Sequence, residues 1–175
     1  LSPSVAGPIP GVEISAPRPL EPSAGQLIAA DKQPLTLLLE NAASSGPRPL
    51  NYIFEVATDA DFTNKVFIRE GIESGGEGRT SLRLPDPLGA GRGYYWRAKA
   101  DDGANTGPFS SPATFNVYTP VGFDRPIPLS PINNEKTSNA HPTFRFANAP
   151  HVGTTGQVVY TIEVATGDSF SRPIA

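Results

Sequence analysis

Two stretches of this 175-residue chain set oxygen-bearing side chains at spacings suited to ion or ligand binding. Asp59, Asp61 and Asn64 form an Asp-x-Asp-x-x-Asn run. Calcium is a hard cation that takes roughly six to eight oxygens, and such a run offers several. Aspartate and asparagine are also the usual turn formers, because their side chains bond nearby backbone. A second copy of the segment reads Gly167-Asp168-Ser169-Phe170-Ser171, which keeps the turn and loses the carboxylate spacing. That favours the turn. The other stretch is the Asp101–Gly107 loop, where Asp101, Asp102 and Asn105, with Tyr95 nearby in sequence, are the candidate ligand-binding residues. Loops on a rigid framework are free to carry recognition, and the competing reading is a tight Asp-Gly hairpin turn.

The remaining motifs fail on chemistry. Gly71 and Gly76 have the spacing of a phosphate-binding loop, but Glu77 stands where the lysine that reaches the phosphates is needed. An inter-strand loop is the better reading. No Gly-x-Ser-x-Gly elbow occurs, so the serines read as turn residues. His141 and His151 lie ten residues apart beside proline-rich turns with no clustered carboxylate, a poor metal site. No Arg-Gly-Asp motif and no Asn-x-Ser/Thr acceptor is present. No cofactor is implied, and catalysis is not expected.

Composition limits the partners. A net charge of −3 with interspersed signs gives no electrostatic case for nucleic acid or an anionic membrane. No cysteine is present, which removes disulfides, thiolate catalysis and cysteine-based zinc sites. The longest apolar stretch, around Leu35–Leu39, is far short of the ~20 residues of a membrane span, so membrane insertion is not expected. With 20 prolines, 17 glycines and 38% hydrophobic residues, the chain suits many short strands joined by turns. Without an initiator methionine or a signal peptide, it reads as a processed mature protein or an excised piece.

The elements that would position these residues are strands. Period-2 alternation places Leu35, Leu37 and Leu39 on one face of a strand, and Tyr52, Phe54 and Val56 on one face of another. Lys65–Ile68 and Thr80–Leu84 are short strands. Tyr94, Trp96, Ala98 and Ala100 share a face against Tyr95, Arg97 and Lys99, which are expected to pack across strands, and Ala113–Val117 closes the set. With a proline-broken edge segment near Arg18–Leu20, seven strands fall within about 100 residues, as in an antiparallel β-sandwich.

The chain also repeats itself. Tyr52-Ile-Phe-Glu-Val-Ala-Thr58 recurs 108 residues later as Tyr160-Thr-Ile-Glu-Val-Ala-Thr166, and Phe62 matches Phe170. Pro19-Leu20-Glu21-Pro22 matches Pro128-Leu129-Ser130-Pro131, and Pro34–Leu37 parallels Pro142–Phe146. The expected organisation is an N-terminal strand or linker at 1–16, a complete module at 17–120, a linker at 121–125, and the first half of a second module at 126–175. Val12-Glu-Ile14-Ser-Ala-Pro17 is similar to Phe115-Asn-Val117-Tyr-Thr-Pro120, which suggests that Val12 and Ile14 sit on a strand left over from a preceding module.

The run Leu88-Gly-Ala-Gly-Arg-Gly-Tyr94-Tyr-Trp96-Arg-Ala98-Lys-Ala100 resembles the stretch that enters the sixth strand of fibronectin type III modules, and Asp101–Ser110 resembles the loop that follows it. The resemblance covers 17–120 fully and 126–175 in part. It implies an all-β, seven-stranded sandwich followed by an incomplete copy, with Tyr94 as the corner tyrosine bonded to nearby backbone and Trp96 in the core. The second strand departs from many family members, which carry tryptophan where this chain has leucines, or Phe144 and Phe146 in the second repeat. The phrases Glu-Val-Ala-Thr-Asp and Tyr-Tyr-Trp-Arg-Ala are similar to modules of bacterial surface and secreted proteins, so the implied location is extracellular or at the cell surface.

A half module of this kind would leave a hydrophobic face and an open sheet edge. One expectation is a stretch of a longer array of spacer or adhesive modules, with its neighbouring modules as partners. Another is a subunit whose Val12–Ala16 strand completes the half module of the next copy, building a filament head to tail. A third is a polysaccharide- or protein-binding accessory module of a secreted protein.

Overall fold

The computed structural model describes residues 7–153, 156–167 and 170, in two compact units, Leu1–Thr119 and Pro120–Ala175. Among the described residues no helix is long and apolar enough to cross a membrane.

Unit 1 is a sandwich of two sheets. The first contains β1 (Arg18–Glu21), β3 (Thr36–Glu40) and β6 (Arg79–Arg83) in the order β1-β3-β6. The second contains β2 (Gln26–Ala29), β4 (Asn51–Ala57), β5 (Lys65–Glu73), β7 (Arg92–Asp101) and β8 (Ala113–Tyr118) in the order β2-β8-β7-β4-β5. This strand order makes the fold a fibronectin type III-like sandwich. The opening edge segment contributes two strands: β1 lies in one sheet and β2 in the other, with Pro22–Gly25 between them. Among the described residues unit 1 therefore has eight strands where seven were expected, and β2 runs parallel to β8 while the other pairs among these strands are antiparallel.

Alternation fills the core. Leu37 and Leu39 face inward from β3, Tyr52, Phe54 and Val56 from β4, and Tyr94, Trp96, Ala98 and Ala100 from β7, all buried. Large aromatics on one strand oppose small residues on the next. Tyr52 pairs with Ala100 and Phe54 with Ala98, so the rings have room. Phe54 stacks with Trp96 at 6.3 Å between centroids, and Tyr94 with Phe115 at 5.5 Å. Each such side chain contributes about 1.5–3 kcal/mol by leaving water. Polar atoms in this core have partners: Trp96 Nε1 donates to the Pro22 carbonyl at 3.0 Å, and the Tyr94 hydroxyl to the Gly89 carbonyl at 2.8 Å.

The strand expected at Lys65–Ile68 continues to Glu73. Its pairing with β4 slips between Tyr52 and Phe54, and Gly71 sits there at φ +71°, so the strand bends through a bulge and carries on. Gly75-Gly76-Glu77-Gly78 then forms the turn into β6, closed by Gly75 N donating to Thr80 Oγ1 at 2.9 Å and Arg79 N to the Gly76 carbonyl at 3.0 Å.

Unit 2 contains β9 (Gly122–Phe123) paired with β12 (His151–Val152), and β10 (Ile127–Ser130) paired with β11 (Arg145–Ala147). Both pairs have counterparts in unit 1. The β10–β11 register repeats β1–β3, including a slip at the same place. The β9–β12 pair repeats an isolated bridge between Ile14 and Ser44. Ser15 N donates to the Ala43 carbonyl and Asp124 N to the Pro150 carbonyl, each at 2.9 Å. Val12–Ile14 is thus equivalent to Val121–Phe123.

This differs from the expectation that residues 1–16 lie outside the module and that Val12 and Ile14 are a leftover strand. Ile14 is buried in the unit 1 core and Val12 packs against it. The physical reason is the partner: alternating apolar residues before a proline suit any short edge strand, and the loop after β3 is where this one pairs.

Candidate functional site

The Asp101–Gly107 loop begins where β7 ends. Asp101 Oδ1 accepts from Gly103 N at 3.1 Å, with Gly103 at φ +81° closing the turn. Asp102 Oδ1 accepts from Ala104 N at 2.8 Å and Asn105 N at 2.6 Å, and the Asp102 amide donates to the Asn105 carbonyl at 3.0 Å. Those backbone donors, Asn105 first and then Ala104, hold the Asp102 carboxyl below the usual aspartate range. Asn105 Oδ1 accepts from Ile9 N at 2.9 Å. Gly107 lies so close to Ile14 that a Cβ there would meet Ile14 Cγ2 at 2.8 Å and the Ile14 carbonyl oxygen at 2.9 Å.

The loop therefore builds itself and clamps the leading segment. From the other side, Ser45 Oγ accepts from Glu13 N and Ser15 Oγ from Ala43 N, each at 2.9 Å. Tyr95 is not part of this cluster. It is half-buried on the outer face of the five-stranded sheet, six residues before Asp101 on the same strand, which puts them about 20 Å apart. The four candidate ligand residues thus fall in two places, and Asp102 has its carboxylate engaged by its own loop.

The outer face of that sheet holds a cluster that the sequence reading did not single out. Glu55 on β4 is buried although it points away from the core. Its Oε1 accepts from Lys65 Nζ at 2.6 Å, and its Oε2 from Arg97 Nε at 2.9 Å. The Arg97 guanidinium lies over Phe62 at 4.0 Å and over Phe109 at 3.9 Å from the ring centroids. Lys99 Nζ is 4.9 Å from the Phe109 centroid. Burial pushes the Glu55 carboxyl up, but the hydrogen bonds from Lys65 and Arg97 and their charges outweigh it and leave the group lowered. The signal available in the sequence was Glu163, the same residue at the same outward position of the repeat.

At the Asp59–Asn64 turn, Asp59 Oδ1 accepts from Thr63 N at 2.9 Å and Oδ2 from Asn64 N at 2.7 Å, which lowers its carboxyl from the ordinary value. Asp61 is exposed and Phe62 takes φ +57°. Both Asp59 oxygens serve the backbone, the turn reading of this run. In unit 2, Asp168, Ser169 and Ser171 lie outside the described residues. His151 sits on β12 with its ring 5.8 Å from Phe123, and the His141 amide donates to Asn139 Oδ1 at 2.9 Å. Among the described residues no three His, Cys, Asp or Glu side chains converge on a metal-sized site. A cleft of about 360 Å³ beside the Tyr94 corner is lined by Val66, Leu84, Pro87 and Arg92 among others.

No family model matches the chain, and no curated protein matches it. Among solved structures, the crystal structure of chicken CNTN1 FN1-FN3 domains is similar over 71% of this chain, at 15% identity and a TM-score of 0.39. The alignment spans 39% of the length of that chain.

Proposed function

We propose that the chain is a non-catalytic structural segment of an extracellular or cell-surface protein, in which fibronectin type III-like modules follow one another as spacers. The observation that carries this reading is the repeated leading segment. Val12–Ile14 and Val121–Phe123 dock in the same way on the segment that follows β3 in unit 1 and β11 in unit 2. A module that takes up the residues just before it leaves a short link to its neighbour, which suits a regular array. Filament assembly by donation of Val12 and Ile14 would require pulling Ile14 from its own core, so the spacer reading is preferred.

The second reading, a binding module for polysaccharide or protein, is favoured by the outer face of the five-stranded sheet. There Tyr95, Lys99, Phe109 and Arg97 set aromatic and cationic groups on one sheet face, and such groups are common in recognition surfaces.

Antibody raised against unit 1 tests the location on intact source cells. Labelling without permeabilisation supports the surface reading, and labelling only after permeabilisation overturns it. Retention of the purified chain on an insoluble glycan, lost in Tyr95→Ala, would move the assignment to the binding reading.

A further inference from the structure

The inner face of unit 2 has the positions of a sandwich core and none of the burial. Phe144 and Ile162 are 44% and 50% exposed. Their counterparts Leu37 and Phe54 are both 0% exposed. Among the described residues of unit 2, none is buried. Part of this face is already assembled. The Tyr160 hydroxyl accepts from Ala149 N at 3.0 Å, as the Tyr52 hydroxyl does from Ala42 N at 2.9 Å, and Phe146 packs edge-on against Tyr160 at 4.9 Å. A groove of about 220 Å³ runs along Phe144, Phe146 and Ile162.

The volumes on this face are rearranged and not degraded. Leucines at 37 and 39 become phenylalanines at 144 and 146, while Phe54 becomes Ile162. The aromatic bulk moves from one sheet to the other. A face with no occupant would have no need of that compensation, because only a closed core senses its own volume.

We propose that this face is the receiving half of a sandwich, and that its occupant is a polypeptide carrying the β6–β8 strand pattern, with a β7-type strand laid against Val158–Ala165. In unit 1, β4 pairs with β7 so that Tyr52 meets Ala100, Phe54 meets Ala98 and Val56 meets Trp96. The same register sets Tyr160 and Ile162 opposite small residues and Val164 opposite a large aromatic. The main-chain groups of Val158–Val164, which are in no assigned strand, then gain a ladder. This inference stands on the internal repeat alone and is independent of where the protein resides.

The test uses the full chain extended at Ala175 by a second copy of its own residues 68–119, the stretch that follows the equivalent point of unit 1. Amide hydrogen exchange of 158–164 is read by NMR or mass spectrometry. Slowing of about 100-fold or more on extension supports the proposal. Slowing that vanishes when Ile162→Asp is placed in the extended chain, with unit 1 unchanged, ties the effect to the inner face. Unchanged exchange in the extended chain overturns the proposal. So does equal slowing in the unextended chain as its concentration is raised, because the β6–β8 strands of a second copy are already paired within its own unit 1 and another of its surfaces would then be the occupant.

Discussion

Units 1 and 2 share their local bonds and differ in their burial. The leading segment and the tyrosine hydroxyl at 52 or 160 have the same partners in both, and Phe62 and Phe170 each take a positive φ. Phe62 N and Phe170 N each donate, at 3.3 Å, to the carbonyl three residues back. Every one of those contacts joins residues within the first half of the module. What unit 2 lacks is supplied in unit 1 by β6, β7 and β8. The first half therefore specifies its turns and its strand register by itself, whereas the dry core depends on strands that arrive much later in the chain.

The largest break in that comparison comes from Trp96→Ala. Trp96 is fully buried and bonded to Pro22, so unit 1 is expected to lose about 3–5 kcal/mol in urea unfolding followed by circular dichroism. Ile162→Ala, at the position of Phe54, is expected to change stability by no more than about 0.5 kcal/mol in the 175-residue chain. Equal losses would mean that unit 2 already holds a core.

Gly107→Ala sharpens the role of the leading segment. The added methyl would sit within 3 Å of Ile14, so backbone or side chain must move, at a cost of about 1–3 kcal/mol. NMR shifts should change at residues 9–15 and remain fixed in unit 2, where no equivalent of this loop is described.

Glu55→Gln asks whether the outer-face cluster adds to unit 1. It removes a buried carboxylate with two cationic partners, and about 1–3 kcal/mol is expected to go with it. The sign with pH follows from the lowered carboxyl. Its contribution is fully present above the unfolded value near 4.5 and is lost as pH falls through the folded one. The midpoint of unfolding should therefore decline below about pH 4.5, and Glu55→Gln should flatten that decline. An unchanged slope would assign the acid loss to other carboxylates.

The smallest loss expected within unit 1 is that of Tyr94→Phe, which deletes the hydrogen bond to Gly89 and keeps the ring, for about 1 kcal/mol. No measurable change would mean that the ring alone makes the corner.

What the sequence displayed of this fold follows from how each element is held. Tyr52, Phe54, Val56 and the Tyr94–Ala100 run were legible because a half-buried strand writes its face into every second residue. β2 was not, since Gln26–Ala29 is a short edge strand with no alternation, fixed by a parallel pairing to β8 far along the chain. Val12 and Ile14 had the right pattern and an ambiguous partner. In the Asp101–Gly107 loop the residue types were legible as turn or ligand formers. Which backbone amides would reach the Asp102 carboxylate depends on loop geometry that residue types do not carry. The Glu55–Arg97 pair lies across β4 and β7, so it becomes visible only once the strand register is known.

The placement of β2 also leaves the larger sheet with β5 as its single antiparallel-paired border, since β8 is covered along its far side. Along β5, Lys65, Arg69, Glu70 and Glu73 carry charge, and the bulge at Gly71 breaks the straight row of amides. Val66 and Ile68 are about half exposed on the same strand. In a protein that carries this module many times, identical borders sit at high local concentration, and straight apolar ones would fuse neighbours or nucleate aggregates. A charged, bent border lets such modules be crowded on one chain and still fold separately.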